Sequence, residues 1–223
     1  MVGQGVLREC VLDPEVESVV SVVRRVTAPS LGRRSDKVRE VVPENFYDLS
    51  KVEANFAGCD ACFFCLGVSS MGMKEEQYRR VTFDLTMVAA RTLLRQNPTT
   101  ASSGMTFIYV SGAGTDATGR GRVMWARVKG ATEVALLEMG FKSAYMFRPG
   151  GIVPLHGITS KTQLYRVLYS AMKPVLPLLL RFFPQYVTTT EQVGRAMLKV
   201  AKHGYAEPVL EARDIARVGS GGR

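Results

Sequence analysis

Short apolar runs alternate along this chain with longer segments whose apolar residues recur at helical spacing. Val6, Leu7 and Val11 place a helix over residues 3–12, stopped by Asp13-Pro14. The β-branched run 18–23 reads as a strand closed by Arg24-Arg25, and a polar, basic loop over 27–36 leads to a second strand at 38–42. Tyr47-Asp48-Leu49-Ser50 precedes a short helix with Ser50 as its N-cap. The apolar run 61–66, ending at Gly67, has the continuous character of a strand buried on both faces. Tyr78, Val81, Leu85, Val88 and Leu93 share one side of a long amphipathic helix over 75–96. A strand at 107–110, a helix at 122–139 and a strand at 144–147 follow. From Leu155 onward the pattern turns mostly helical, and 219–223 reads as a frayed tail.

Strands alternating with helices at this spacing imply right-handed crossovers and a parallel sheet. The expected fold is therefore α/β, a Rossmann-like doubly wound sheet with a small C-terminal helical substrate lobe. One domain would span 1–218, with 1–154 as the cofactor part and 155–218 as the substrate-covering part. A chain of 223 residues is long enough to bury a core without staples. The net charge of +9 comes from scattered basic residues, with Arg24-Arg25 and Arg33-Arg34 among its few local clusters. No basic stripe with stacking aromatics is readable, so nucleic acid is not an expected partner. No apolar run approaches the ~20 residues of a membrane span and no signal peptide is readable, which makes a cytoplasmic location the expectation.

Cys59, Cys62 and Cys65 form a C-x2-C-x2-C run. On a strand, residues three apart point to opposite faces, so Cys62 and Cys65 would not converge on a metal, and no metal site is expected. Buried thiols in a reducing compartment account for them.

A doubly wound sheet that binds a dinucleotide opens with a strand, a glycine-rich turn and a helix whose N-terminus takes the pyrophosphate. Here the helix comes first, and Met1-Val2-Gly3 matches only the tail of such a turn, with Gly3 as its last glycine. The expectation is a start about ten residues late, at an internal methionine. The strand left out would be the central one, between the strands at 18 and 62, and its neighbours would each lose a hydrogen-bonding partner. Such a chain is expected to be poorly stable and to bind dinucleotide weakly.

Ser111 ends an apolar strand, and the following helix carries Trp125 four positions before Lys129. With Cys65-Leu66-Gly67, Tyr78-Arg79-Arg80-Val81, Tyr109 to Gly114, Val128-Lys129-Gly130 with Glu133, and Phe147-Arg148-Pro149-Gly150, the chain resembles the atypical short-chain dehydrogenase/reductases. The likeness is to their NAD(P)-binding, epimerase-like group, including the Tat-interacting-protein oxidoreductase branch, and runs from Gly3 to about residue 215. It implies NADP or NAD as cofactor and a small-molecule substrate held under the C-terminal helices. In that family the position of Trp125 holds tyrosine, whose phenol exchanges a proton with the substrate oxygen while the lysine lowers its pKa. An indole N–H donates a hydrogen bond but does not titrate near neutrality.

The resemblance makes Ser111, Lys129, Trp125 and His156 the candidate catalytic residues, His156 as a titratable substitute for the tyrosine with Asp116 as the other. Cofactor candidates are Gly3, Arg24, Arg25, Asp48, Leu49, Gly67, Lys129 and Arg148. An arginine at the end of the second strand suits the 2′-phosphate of NADP, where an acid would suit NAD; the alternative is a solvated basic loop. Asp48 and Leu49 would face adenine, or Asp48 would open a helix. Gly67 would permit close backbone approach or serve a tight turn. Lys129 would hold the nicotinamide ribose, or be an exposed helical lysine. Arg148-Pro149-Gly150 would touch cofactor or only turn the chain. The apolar segment 175–183 reads as a pocket wall or a homodimer patch. Two functions stay open: an NADP-preferring oxidoreductase or epimerase, and a catalytically silent dinucleotide-binding protein that regulates a partner or senses redox state.

Overall fold

Alternation of side chains along each strand sorts the core into two faces. A computed structural model describes residues 1–26, 36–100, 103–158 and 186–221. Most of the basic loop expected over 27–36 and the apolar segment 175–183 lie outside these residues. The elements run α1 (Val2–Leu12), β1 (Val19–Val22), β2 (Val38–Val41), β3 (Ala61–Phe64), α2 (Glu75–Arg79), α3 (Leu85–Gln96), β4 (Thr106–Val110), α4 (Met124–Leu137), β5 (Ser143–Arg148), β6 (Gly151–Val153), β7 (Val187–Thr189), α5 (Thr190–His203), β8 (Val209–Glu211) and α6 (Ala212–Ser220). A 3-10 turn at Glu53–Phe56 stands where a short helix was expected.

The strands pair in parallel in the order β3-β4-β5-β8, an α/β Rossmann-like sheet flanked by helices. On one face Ile108, Phe147 and Leu210 pack with Val6 and Cys10 of α1, Val193 and Met197 of α5 and Ile215 of α6. On the other, Phe107, Tyr109 and Met146 pack with Met87, Ala90 and Leu93 of α3 and Leu136 of α4. Cys62 joins the second cluster and Cys65 the first, so these two thiols do point to opposite faces. The C-terminal segment returns to the sheet: β8 bonds to β5, and α5 covers the same face as α1. Thr189 and Gln192 start α5 with a reciprocal capping box, at 3.0 and 2.9 Å.

Two features differ from the sequence pattern and a third follows it. The helix expected over 75–96 is interrupted by a π turn at Arg80–Asp84, flanked by Arg79 over the Phe83 ring and Arg80 over Tyr47. Helix α6 runs on to Ser220 where a frayed tail was expected, because Gly219 packs directly on the Gln192 backbone. Finally, β1 and β2 pair with each other in a separate two-stranded sheet, and β1 makes no ladder with β3. The sheet thus divides at the gap the sequence pattern placed between residues 18 and 62.

Helix α1 is held mainly by α5. A side chain on Gly5 would put its Cβ 2.6 Å from the Thr190 carbonyl oxygen, and one on Gly194 would meet Glu9 at 2.8 Å. Gly5→Ala therefore forces the two helices apart and should cost about 1–3 kcal/mol of unfolding free energy. Urea titration of the variant beside the parent checks this, and an unchanged midpoint would mean the helices are not so close.

Candidate functional site

The C-terminal ends of the strands carry most of the candidates. Beyond β4, Ser111 N–H donates to the Phe147 carbonyl (2.8 Å) and Ala113 N–H to Pro149 (3.0 Å), so the ladder continues two residues past the strand. This fixes the loop 112–121 over α4. Gly130 lets α4 lie against that loop, since a Cβ there would fall 1.8 Å from the Asp116 oxygen. Asp116 closes its own loop: its carboxylate accepts from the Thr118 hydroxyl (2.6 Å) and the Gly121 N–H (2.7 Å), which hold it below the usual carboxylate range.

Trp125 and Lys129 sit one turn apart on α4. The indole reaches across the loop, within about 4 Å of where side chains on Gly112 and Gly114 would begin. Lys129 Nζ donates to the main-chain oxygens of Val110 (3.4 Å) and Ser111, at the end of β4. Burial pushes its ammonium down to about 8, against the opposing pull of Glu133 one turn further on.

Ser111 is buried, and its hydroxyl donates inward to Glu133 Oε1 (2.5 Å), with the Phe147 carbonyl as a second acceptor at 3.2 Å. Glu133 is 1% exposed. Arg148 answers it with a fork, Nε to Oε1 at 3.0 Å and Nη2 to Oε2 at 2.5 Å, and reaches Glu211 on β8 at 3.1 Å. These hydrogen bonds hold the guanidinium firmly protonated. The structure thus joins Ser111, Arg148 and Lys129 around one residue, Glu133, that the sequence did not mark as a site residue. Its spacing of four from Lys129 on a helix was the available signal.

The other candidates lie apart from this cluster. His156 adopts a left-handed backbone (φ 56°) and its Nε2 bonds Glu191 at 2.5 Å; Glu191 in turn pairs with Arg195. Arg24 and Arg25 are exposed in the bend after β1. The Asp48 carboxylate is held below its ordinary pKa by the Ser50 hydroxyl and by the Ser50 N–H, which donates to it at 3.0 Å, while the Leu49 side chain is buried in the core beneath α3. Gly3 stands in the first turn of α1, against Cys65 at the end of β3, and no side chain caps that helix. At Gly67 a side chain would meet open space. Among the described residues no helix is long and apolar enough to cross a membrane.

The Lys129 ammonium gives a pH signature. In the unfolded chain it titrates near the ordinary value of ~10.4. Between about 8 and that value the unfolded state binds more protons, so this residue makes stability rise with pH across the window. Below about 8 both states are protonated and the cost of burying the charge is fully present. The unfolding free energy of the parent relative to Lys129→Met should therefore increase from pH 8 to 10. Urea titrations at pH 7, 9 and 10 measure it, and a pH-independent difference would show that Lys129 is not desolvated.

No protein-family model matches the sequence, and a search of curated proteins returns no match. Solved structures do match. The PhqB reductase domain of Penicillium fellutanum superposes with a TM-score of 0.66 at 16% identity, over 94% of this chain and 63% of that one. UDP-glucose 4-epimerase of Thermotoga maritima, solved with UDP-glucose, gives 0.63 at 13% identity, over 97% and 77%. The dTDP-glucose 4,6-dehydratase DesIV of Streptomyces venezuelae, solved with NAD bound, gives 0.64 at 12%, over 98% and 76%. The chain spans less than two thirds of the length of the reductase domain. At these identities the likeness is one of fold: the protein has the Rossmann-like architecture shared by a reductase domain, an epimerase and a dehydratase.

Proposed function

We propose that the protein is an NAD(P)-binding oxidoreductase or epimerase-like protein of the atypical short-chain dehydrogenase/reductase type, with NADP preferred and a small-molecule substrate. The observation that carries this reading is the Trp125–Lys129 pair on α4, with Lys129 half-buried, donating to main-chain carbonyls at the end of β4, and its proton loosened by burial. The residues at the same edge suit a dinucleotide. The uncapped first turn of α1 offers N–H groups to a pyrophosphate, and Gly67 leaves room beside it. The exposed Arg24 and Arg25 offer charge to a 2′-phosphate. A bound nicotinamide would supply hydride transfer. Around it Lys129 holds and releases a proton near neutrality, Trp125 walls the loop 112–121, and the Arg148–Glu133 pair fixes the ends of β4 and β5. Lys129 rather than His156 fills this role, because the His156 ring is bonded to Glu191 away from the cluster.

Cofactor choice is tested by calorimetric titration of the protein with NADPH and with NADH. Arg24→Ala and Arg25→Ala should weaken NADPH binding by about tenfold to a hundredfold, equivalent to ~1.5–3 kcal/mol for a lost charge-assisted contact, and leave NADH unchanged. An unaltered NADPH-to-NADH ratio would refute the assignment.

A second reading, a silent dinucleotide-binding regulator or redox sensor, is favoured by Trp125 itself. A well-placed tyrosine acid typically contributes ~10²–10⁴-fold. If the indole is all that silences the site, Trp125→Tyr should raise NADPH oxidation with a panel of aldehydes and ketones above a near-zero parent rate. Turnover by the parent that survives loss of Lys129 would place the chemistry elsewhere.

A further inference from the structure

The hydrogen bonds around the Lys129 amine suit its neutral form. Nζ donates to two main-chain oxygens, those of Val110 (3.4 Å) and Ser111, and no carboxylate among the described residues pairs with it. Glu133, one turn further along α4, is committed elsewhere. Its Oε1 accepts from the Ser111 hydroxyl and Arg148 Nε, and its Oε2 from Arg148 Nη2. The titratable and charged groups that face Nζ are thus Glu133 from α4 and Tyr109 from β4, whose ring centre is 5.9 Å away, with Arg148 of β5 behind Glu133. An ammonium carries three N–H groups, whereas a neutral amine carries two and a lone pair. Two carbonyls therefore satisfy the neutral amine, and the ammonium keeps one N–H with no oxygen to accept it among the described residues.

Burial acts in the same direction and brings the pKa of this amine to about 8. At pH 7 about a tenth of it is then neutral, against less than about one part in a thousand for an ordinary lysine near ~10.4. A desolvated lysine of this kind is a nucleophile as well as a proton donor. The strand end that holds Nζ is followed by Gly112 and Gly114, and a side chain begun on either would meet only the Trp125 ring within 4 Å, at 4.0 and 3.8 Å. The approach to the half-buried amine is thus flanked by bare backbone and an uncharged aromatic face. Trp125 has no proton that titrates near neutrality, so Lys129 is the reactive member of the pair.

We propose that Lys129 is a carbonyl-capturing amine that forms an imine with an aldehyde or unhindered ketone seated against Trp125. The amine nitrogen bonds to the carbonyl carbon, and one N–H proton passes to the carbonyl oxygen to give a carbinolamine. The C–O bond then breaks, the oxygen leaves as water with the second N–H hydrogen, and a C=N bond remains. Carbon and nitrogen exchange oxygen for nitrogen with no change of oxidation state, so neither oxidant nor reductant is needed. A proton taken from water gives the iminium, whose single N–H the Ser111 carbonyl accepts. Imine formation takes place at the same edge as the proposed dinucleotide site but needs no nicotinamide.

Reductive trapping on the 223-residue protein tests it, with benzaldehyde as the probe, cyanoborohydride as the reductant and peptide mass mapping as the readout. At pH 7 Lys129 should gain a benzyl group about tenfold faster, or more, than the exposed Lys74 and Lys142. That advantage should shrink as the pH rises from 7 to 10, because ordinary lysines then lose their protons too, and it should vanish in concentrated urea. Labelling of Lys129 no faster than that of Lys74 and Lys142 would overturn the proposal. So would an advantage that survives in urea, or one that does not change with pH. Calorimetric titration of the same sample with NADPH separates the two ideas. Labelling without NADPH binding supports the imine and counts against the dinucleotide reading alone, whereas NADPH binding without labelling rejects the imine alone.

Discussion

Everything at the C-terminal edge of the sheet is arranged around one carboxylate that has left water. Glu133 is almost wholly buried, and an isolated charge in that position would be prohibitive. The Arg148 fork and the Ser111 hydroxyl make its burial tolerable. Removing one partner from such a pair typically costs ~3–5 kcal/mol, whereas the intact pair adds little beyond neutral packing. Its value is geometric. Because Arg148 also reaches Glu211, a single ionic cluster fixes α4, β4, β5 and β8 relative to one another at the end where loops emerge.

That arrangement divides labour among the polar residues of the edge. Ser111 and Arg148, both attractive as ligand contacts, are turned toward the protein interior by Glu133. Lys129 is held by carbonyls, and burial of its ammonium makes its proton the more easily given up. The groups left facing outward are the Trp125 indole, the uncapped turn at Gly3 and the two arginines after β1.

The fold was legible because its signal is periodic. Strands of three to six residues alternate with amphipathic helices, and two-residue alternation such as Phe107, Ile108, Tyr109 appears unchanged on the two faces of the core. The break between β1 and β3 could also be read, since a helix heads the pattern where a strand would come first. The π turn at Arg80–Asp84 could not, because one extra residue in a turn leaves the apolar stripe nearly intact. Nor could the inward turn of the Ser111 hydroxyl, which depends on Glu133 and Arg148 meeting across three elements. Sequence spacing brought Lys129 and Trp125 together correctly, as local helical geometry must. It gave no means of learning that His156 would be engaged by Glu191, a residue 35 positions away.

The close seating of α1 on α5 has a consequence for how this protein acquires its structure. Glu9 is buried and bonded to Arg195 across 186 positions, and Gly5 fits only against Thr190. Helix α1 therefore finds its resting place only after Thr190 and Arg195 have been synthesised. Contacts so distant in sequence slow folding, because the loop they close must be ordered before they repay it. At ribosomal rates of about 5–20 residues per second, the apolar side of α1 waits for roughly ten seconds or longer without its partner. During that interval Val6 and Cys10 are open to other chains, and a chaperone that shields this helix would have its largest effect here.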